Sequence, residues 1–392
     1  MGGDFEVGKR VEFSVILFLL CSGIFSVTLN SLLLRFSRTL GIHDEASGTI
    51  IRWGSTSKPT IGGISFYITF ILSSLVLFVM NGSNTEFSSD FMALLIVSTL
   101  GFFIGLQDDA YNTRPLLKLF GQIMCGVIMI LFGVAIDLTG IEAIDYFLTI
   151  FWVVGIMNSI NLLDNMDGVT GTVSLMIVIT ILILFTLFGM GFGPFYFTLV
   201  SVAGAILGFL VFNWHPSRIY MGDTGSQFLG ALLAFIGVKF LWDIRGYQDQ
   251  VVTSMQFITP VMTFLVPIMD TTFVTFARIM RGRSPFQGGK DHLTHHLTYI
   301  GVREKRIPVL LGFVSILSGF VAIFAMKYIM VWNHGYTIIF SGYIVCSFLI
   351  FYMLFRRGER ISMIKDRMGK EQNDLISEIR NEREPEKFRN PS

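Results

Sequence analysis

Long apolar runs separated by short polar connections fill most of the chain. A spanning helix needs about 20 mostly apolar residues. Eleven segments approach that length: roughly 12–34, 61–80, 91–107, 117–136, 145–162, 172–190, 195–212, 226–241, 255–280, 307–330 and 335–355. The runs at 91–107, 195–212 and 226–241 are short or contain glycine. A transmembrane β-barrel would alternate apolar and polar residues in short strands. These runs are apolar on every face, so the pattern predicts an all-α integral membrane protein of about eleven transmembrane helices. The first run is too long for a signal-peptide core and lacks a small-residue cleavage site at its end. It reads as an uncleaved span.

The polar connections set an orientation. Of 29 Lys and Arg residues, 24 fall in one alternating set of connections and the C-terminal segment; the other set has Lys9, Arg10, Lys239, Arg245 and Lys327. Cytoplasmic loops carry the positive excess. The N-terminus is therefore expected outside and the C-terminus inside, with Arg35, Arg38, Arg52 and Lys58 outweighing Lys9 and Arg10. Two regions follow: a polytopic membrane domain over 1–355 and a charged cytoplasmic tail over 356–392. In that tail 18 of 37 residues are charged. It is expected to be solvated, partly helical, and placed to lie against anionic lipid.

Composition narrows the class further. The chain is 52% hydrophobic and only 15% charged, with a mean hydropathy of +0.65. Soluble domains average about 25% charged residues, so the composition argues against a soluble globular enzyme. Net charge is +1, which offers nothing to nucleic acid. Cys21, Cys125 and Cys346 each sit in an apolar run. They form no disulfide framework or metal-ligand spacing and are expected to be small buried hydrophobes.

Carboxylates then draw attention to one membrane face. Asp108, Asp109, Asp164, Asp167 and Asp223 lie in three inner connections, beside Gly, Asn or Thr at span ends. Acids near membrane depth are costly and mark functional sites. Asp also favours helix N-caps, and Asp223 in Gly222-Asp223-Thr224-Gly225-Ser226 suits that role. Capping alone accounts poorly for five Asp on one face. Carboxylates and Asn carbonyls are hard oxygen donors suited to Mg2+ or Mn2+. Mg2+ takes one or two protein carboxylates, so the five cannot all be ligands. Adjacent helical residues point about 100° apart, so Asp108 and Asp109 are expected to differ in role.

Cations share the face. Lys58 precedes Pro59-Thr60-Ile61-Gly62-Gly63, a backbone able to approach a ligand. Lys118 and Gln122 share a helix face at i,i+4. The connection 278–306 carries Arg278, Arg281, Arg283 and Lys290, then His292, His295 and His296. The histidines are open to three readings: a zinc site, ordinary interfacial residues, or phosphate contact and proton transfer. Asp270 lies in an apolar stretch and should face other helices or a polar cleft. Asn213 is either a ligand-contacting amide or a helix C-cap. Carboxylates, a divalent cation and Arg, Lys or His together are the equipment of phosphoryl transfer.

The motifs resemble a family. Lys58-Pro-Thr-Ile-Gly-Gly63, Gly105-Leu-Gln-Asp-Asp109, Asn158 through Asp164-Asn-Met-Asp167-Gly168, Asn213 through Met221-Gly-Asp-Thr-Gly-Ser226, and Arg283-Ser-Pro-Phe through His296 occur in order over 58–297. They resemble the polyprenyl-phosphate N-acetylhexosamine-1-phosphate transferases, which include WecA/TagO-like enzymes, MraY and the dolichyl-phosphate GlcNAc-phosphotransferases. The resemblance implies transfer of a HexNAc-1-phosphate from a UDP-sugar to undecaprenyl or another polyprenyl phosphate. The products would be UMP and a polyprenyl-diphospho-sugar that starts a cell-envelope glycan. It implies a bacterial inner-membrane enzyme with cytoplasmic active-site loops, requiring Mg2+ or Mn2+, and is compatible with a homodimer. Asp223 then corresponds to the metal ligand. Asp108 and Asp109 correspond to the paired catalytic aspartates, joined in the catalytic set by Asp164, His292 and His295. Lys58, Asn158, Asn161, Asp167, Asn213, Arg283 and His296 correspond to substrate contacts. Two departures stand out: Asn165 where many members have Gly, and His292-Leu-Thr-His-His296 where many have His-x-His-His. The latter favours the WecA/TagO-like branch and UDP-GlcNAc over the UDP-MurNAc-pentapeptide of the MraY-like branch. A cation-coupled transporter would instead place acids in broken helices at the bilayer midplane, and a catalytically dead scaffold is the third alternative.

Overall fold

The computed structural model describes residues 2–39, 58–81, 88–242, 253–284, 289, 291–329 and 331–383; side chains of 2–11, 38, 39, 366 and 369–383 are excepted. Thirteen α-helices account for nearly all of it: α1 (Gly2–Thr39), α2 (Gly62–Asn81), α3 (Ser89–Tyr111), α4 (Pro115–Leu131), α5 (Glu142–Leu163), α6 (Val169–Phe188), α7 (Pro194–Asn213), α8 (Gly222–Gly237), α9 (Thr253–Thr263), α10 (Leu265–Met280), α11 (Leu293–Tyr299), α12 (Ile307–Tyr328) and α13 (His334–Arg383). No strand occurs among the described residues. Among the described residues nine helices are long and apolar enough to cross a membrane, or ten if a bent pair counts as one span. The chain is a multi-span all-α membrane protein.

Each predicted span contains a helix, but two differ from a simple crossing. α4 has only 17 residues. The run at 255–280 is two helices, α9 and α10, bent by 81°. Proline explains the break. Pro267 has no N–H to return to the carbonyl of Thr263, and its ring clashes with that turn. A second correction concerns cysteine. Only Cys125 is buried, while Cys21 and Cys346 are exposed on the outer surface of the bundle. At residue 356 composition changes but the helix does not: α13 runs from the last span to Arg383. Arg52, Arg245 and Lys290, and the side chains of Lys9, Arg10 and Arg38, lie outside the described residues.

α8 is the hub. It and the short π-helical turn after it, Val238–Trp242, are 94% buried, against 17% for α1 and α13. Between lipid tails apolar contact gives little net drive, so close backbone approach and polar contacts hold helices together. α8 is rich in Gly, Ala, Thr and Ser, and α2, α3 and α5 pack against it. Gly105 on α3 shows how tightly: a Cβ there would stand 2.1 Å from the Asp223 carbonyl oxygen. On another side, Ser26 of α1 donates to the Ala205 carbonyl of α7 at 2.8 Å, and Asn30 donates to Ser65 of α2 at 2.9 Å. This packing brings the C-terminal ends of α3, α5 and α7 beside the N-terminal ends of α2, α4 and α8.

Candidate active site

A charged cluster forms where those ends meet. Asp108 is in the last turn of α3. Its Oδ1 accepts the Thr113 N–H (2.9 Å) and hydroxyl (2.7 Å), and its Oδ2 accepts Lys118 Nζ at 2.7 Å. Lys118, in the first turn of α4, also reaches Asn161 Oδ1 at 3.2 Å and Asp223 Oδ1 at 3.4 Å. Asn161, near the end of α5, donates to Asp223 and to Ser226 Oγ. Four helices therefore deliver Asp108, Lys118, Asn161 and Asp223 to one point. Asp223 is the most open of the three charged residues, at 30% side-chain exposure.

Asp109 does something different. Its Oδ1 accepts the Asp223 N–H at 3.0 Å; its Oδ2 accepts the Thr224 N–H at 2.8 Å and hydroxyl at 2.6 Å. It caps the start of α8 from a neighbouring helix, satisfying N–H groups that no intrahelical partner can reach. Gly222 permits this contact. Its φ is +73°, and a Cβ would lie 2.6 Å from Asp109 Oδ2. The 100° separation expected of Asp108 and Asp109 thus resolves into an ion pair on one side and a helix anchor on the other.

Behind the cluster, Asn158 and Gln122 exchange amide hydrogen bonds at 2.7 and 3.3 Å, and Gln122 continues to Gln227 at 3.1 Å. Asn158 therefore sits deeper than Asn161 and braces α4 against α5. Gly62 and Gly63 donate to the carbonyls of Tyr220 and Met221 (3.0 and 2.9 Å). The Pro-Thr-Ile-Gly-Gly segment thus approaches the start of α8.

A cleft adjoins the cluster, lined by Asp164, Asn165, Met166, Asp167, Asn213, Tyr220 and Glu304. Asp167 accepts the Ser217 N–H (2.9 Å) and hydroxyl (2.7 Å) and lies 3.2 Å from His215 Nδ1. Lys58 Nζ is 3.8 Å from Asp167, donates to Ser217 at 3.0 Å and lies over the Tyr220 ring. Asn213 is 3% exposed. Its carbonyl accepts the Gly168 N–H at 2.9 Å and its amide donates to the Ile219 carbonyl at 2.8 Å. The amide ties two loops together, an arrangement neither sequence reading of Asn213 contained.

The histidines follow α10. His292 Nδ1 lies 3.1 Å from Asp270 Oδ2. Arg278 grips Asp291 through two hydrogen bonds of 2.9 and 2.8 Å. Burial raises the Asp291 carboxyl, but the bonds and charge of Arg278 outweigh it and hold it below the ordinary carboxylate value. His295 and His296 are buried in α11. His296 packs against Phe355 of α13, centroid to centroid 4.1 Å with the rings tilted by 59°. Neither of its ring nitrogens has a hydrogen-bond partner among the described residues. Burial pushes its pKa down to about 4, despite the opposing charge of Glu359. Arg283 is exposed, just beyond α10.

The sequence assigned no role to Lys118, Thr113, Thr224, Tyr220 or Glu304. The i,i+4 pairing of Lys118 with Gln122 was the usable signal for the first; Glu304 gave none. Three carboxylates against one ammonium leave the cluster at the α8 terminus net negative. No three His, Cys, Asp or Glu side chains among the described residues converge as a complete metal cage.

Comparison with known proteins decides the family. Residues 91–241 match glycosyl transferase family 4. The chain is 31% identical over 284 residues to a decaprenyl-phosphate N-acetylglucosaminephosphotransferase of Mycobacterium leprae, covering 65% of this chain and 70% of the relative. The chain belongs to glycosyl transferase family 4. It is also 28% identical over 299 residues to a probable undecaprenyl-phosphate N-acetylglucosaminyl 1-phosphate transferase of Bacillus subtilis (73% of this chain, 79% of the relative). A phospho-N-acetylmuramoyl-pentapeptide-transferase of a Thermoanaerobacter species matches at 28% over 316 residues (73% and 86%). The family-matched segment contains Asp108, Asp109, Lys118, Asn161 and Asp223, so this family 4 chain carries the helix-end cluster inside its shared region.

Proposed function

We propose that the chain transfers a HexNAc-1-phosphate, GlcNAc-1-phosphate first among the candidates, from a UDP-sugar to a polyprenyl phosphate. The observation that carries this reading is the convergence of Asp108, Lys118, Asn161 and Asp223 at one end of a lipid-facing bundle. A polyprenyl chain can stay in the bilayer there while its phosphate meets a water-borne nucleotide. An oxygen of the lipid phosphate forms a bond to the β-phosphorus of the UDP-sugar. The bond from that phosphorus to the bridging oxygen breaks, and UMP leaves with it.

The residues divide the work. Asp223, with Asn161 Oδ1 beside it, is the donor that would hold Mg2+ or Mn2+; a carboxylate and an amide oxygen are the hard donors that suit such an ion. When bound, the ion supplies charge neutralisation on the diphosphate. Lys118 adds positive charge beside the reacting phosphates. Asp108 is the carboxylate suited to orient or deprotonate the lipid phosphate, because its Oδ2 meets Lys118 at the cluster, whereas Asp109 commits both oxygens to capping α8. In this reading Asp164, Asp167 and Lys58 contact the nucleotide, and His292, His295 and Arg283 contact the diphosphate or the sugar. The charge asymmetry of the loops supports the reading that this end faces the bacterial cytoplasm and the N-terminus the outside.

The acids sit at helix ends, which does not support the midplane site of a transporter. A phospho-MurNAc-pentapeptide transferase is the second reading, favoured by the match over 86% of the Thermoanaerobacter relative. Incubation of the purified protein with undecaprenyl phosphate, Mg2+ and each UDP-sugar, followed by mass analysis of the lipid extract, separates them. Undecaprenyl-diphospho-GlcNAc is expected. The MurNAc-pentapeptide lipid alone would select the second reading, and no lipid product with any donor would overturn both.

A further inference from the structure

α10 carries two buried charges in an apolar helix: Asp270, 1% exposed, and Arg278, 2% exposed. Both reach the same short segment. Arg278 holds Asp291. Asp270 Oδ1 accepts the Leu293 N–H at 2.8 Å, while Oδ2 lies 3.1 Å from His292 Nδ1. Three consecutive residues are thus fastened to α10. The next one, Thr294, donates to Asn165 Oδ1, in the turn that carries Asp164 and Asp167. His292 is 4% exposed and stands between these two attachments.

The charge of Asp270 needs an explanation. A carboxylate in an apolar stretch is expensive, and a neutral oxygen would cap the Leu293 N–H as well. What only the carboxylate offers is a second acceptor in a fixed direction. Ionised, it accepts hydrogen bonds and donates none. His292 must therefore carry its proton on Nδ1, and Nε2 is the nitrogen left for another partner. Carboxylates elsewhere fix histidine tautomers in this way.

We propose that Asp270 is a positioning residue for His292: it fixes the Nδ1–H tautomer and presents Nε2 to the diphosphate of the nucleotide sugar. What Nε2 meets rests on the transferase reading above; the tautomer does not. Asp270→Asn is the informative change. It keeps the side-chain size and a carbonyl oxygen for the Leu293 N–H. Its NH2, however, faces His292 Nδ1 and demands the opposite tautomer.

Two readouts test the proposal. In UMP release, Asp270→Asn is expected to lower kcat about 10- to 100-fold, as loss of such supporting partners does, with the melting temperature near that of the parent. In a His292→Gln background the same change should have almost no effect on kcat, because the two residues act as one unit. Separately, 15N-histidine NMR in detergent, with His292 assigned by its absence in His292→Gln, should show Nδ1 protonated in the parent and Nε2 protonated in Asp270→Asn. Unchanged kcat in Asp270→Asn, multiplicative losses in the double variant, or an Nε2–H tautomer in the parent would overturn the proposal. If Asp270→Asn does not fold, the tautomer of the parent still decides. If the parent turns over no UDP-sugar, the functional reading fails while the tautomer measurement stands.

Discussion

His296 offers a sharp test of the packing at the charged end of the bundle. The ring is 3% exposed, packed against Phe355 and without hydrogen-bond partners among the described residues. Its folded pKa is about 4 against 6.5 for the free side chain. The sign follows from proton binding: between pH 6.5 and pH 4 the unfolded chain takes up a proton that the folded ring refuses. Stability is therefore full above pH 6.5 and is lost as pH falls through that window. Each unit corresponds to about 1.4 kcal/mol, so acidification from pH 6.5 to 4.5 costs about 2 kcal/mol through this one ring. His296→Leu removes the titrating group at similar volume and removes two unpartnered nitrogens. The variant is expected to be as stable as the parent, or more so, at pH 7.5. Its advantage should widen as pH falls. Thermal unfolding in detergent, followed by tryptophan fluorescence at four pH values from 7.5 to 4.5, measures the gap. Parallel curves for the two proteins would refute the buried, neutral placement of His296. UMP release at pH 7.5 adds a second reading: a loss greater than about 100-fold, the scale of a misplaced catalytic group, would support His296 as a substrate contact.

Other expectations follow from the same geometry. Arg278→Met leaves Asp291 buried without its partner and should cost about 3–5 kcal/mol; a melting temperature unchanged from the parent would show that water relieves the charge. Asp108→Asn should reduce UMP release by at least about 100-fold with a smaller change in melting temperature than Asp109→Asn, since it removes the charge paired with Lys118 but not the acceptors that cap α8. Asp109→Asn should lower the melting temperature as well, because one of the acceptors for the α8 N–H groups becomes a donor. Identical profiles for the two would contradict the division of roles. Gly105→Ala should abolish expression of folded protein or activity, as its Cβ would meet the Asp223 carbonyl at 2.1 Å; near-normal turnover would show that α3 and α8 can separate.

The spans were legible because a helix surrounded by lipid and other helices is apolar all round, and that signal needs no partner. The bend between α9 and α10 was visible only as Pro260 and Pro267, and proline inside a span does not say how far the chain turns. The tail boundary at 356 was a boundary of polarity; helix propagation along α13 ignores it. At the site, composition and spacing picked out the acids, and helical geometry said that Asp108 and Asp109 differ. Which one anchors α8 depends on a contact between residues more than 100 apart, and no local pattern reports that. The same holds for Asn213, whose amide joins two loops, and for His296, turned toward α13 by packing between α11 and the last span. Cys21 and Cys346 were misplaced because an outward-facing residue in a membrane is as apolar in context as a buried one.

The central claim is that the Asp223 cluster performs metal-dependent phosphosugar transfer to a lipid phosphate. UMP release by the purified parent and by Asp223→Ala, with UDP-GlcNAc, with and without undecaprenyl phosphate, and across a Mg2+ series, tests it most directly. The account predicts UMP from the parent only when lipid and Mg2+ are both present, and essentially none from Asp223→Ala at any Mg2+ concentration. Near-parent turnover by Asp223→Ala, or UMP release indifferent to lipid, would contradict it.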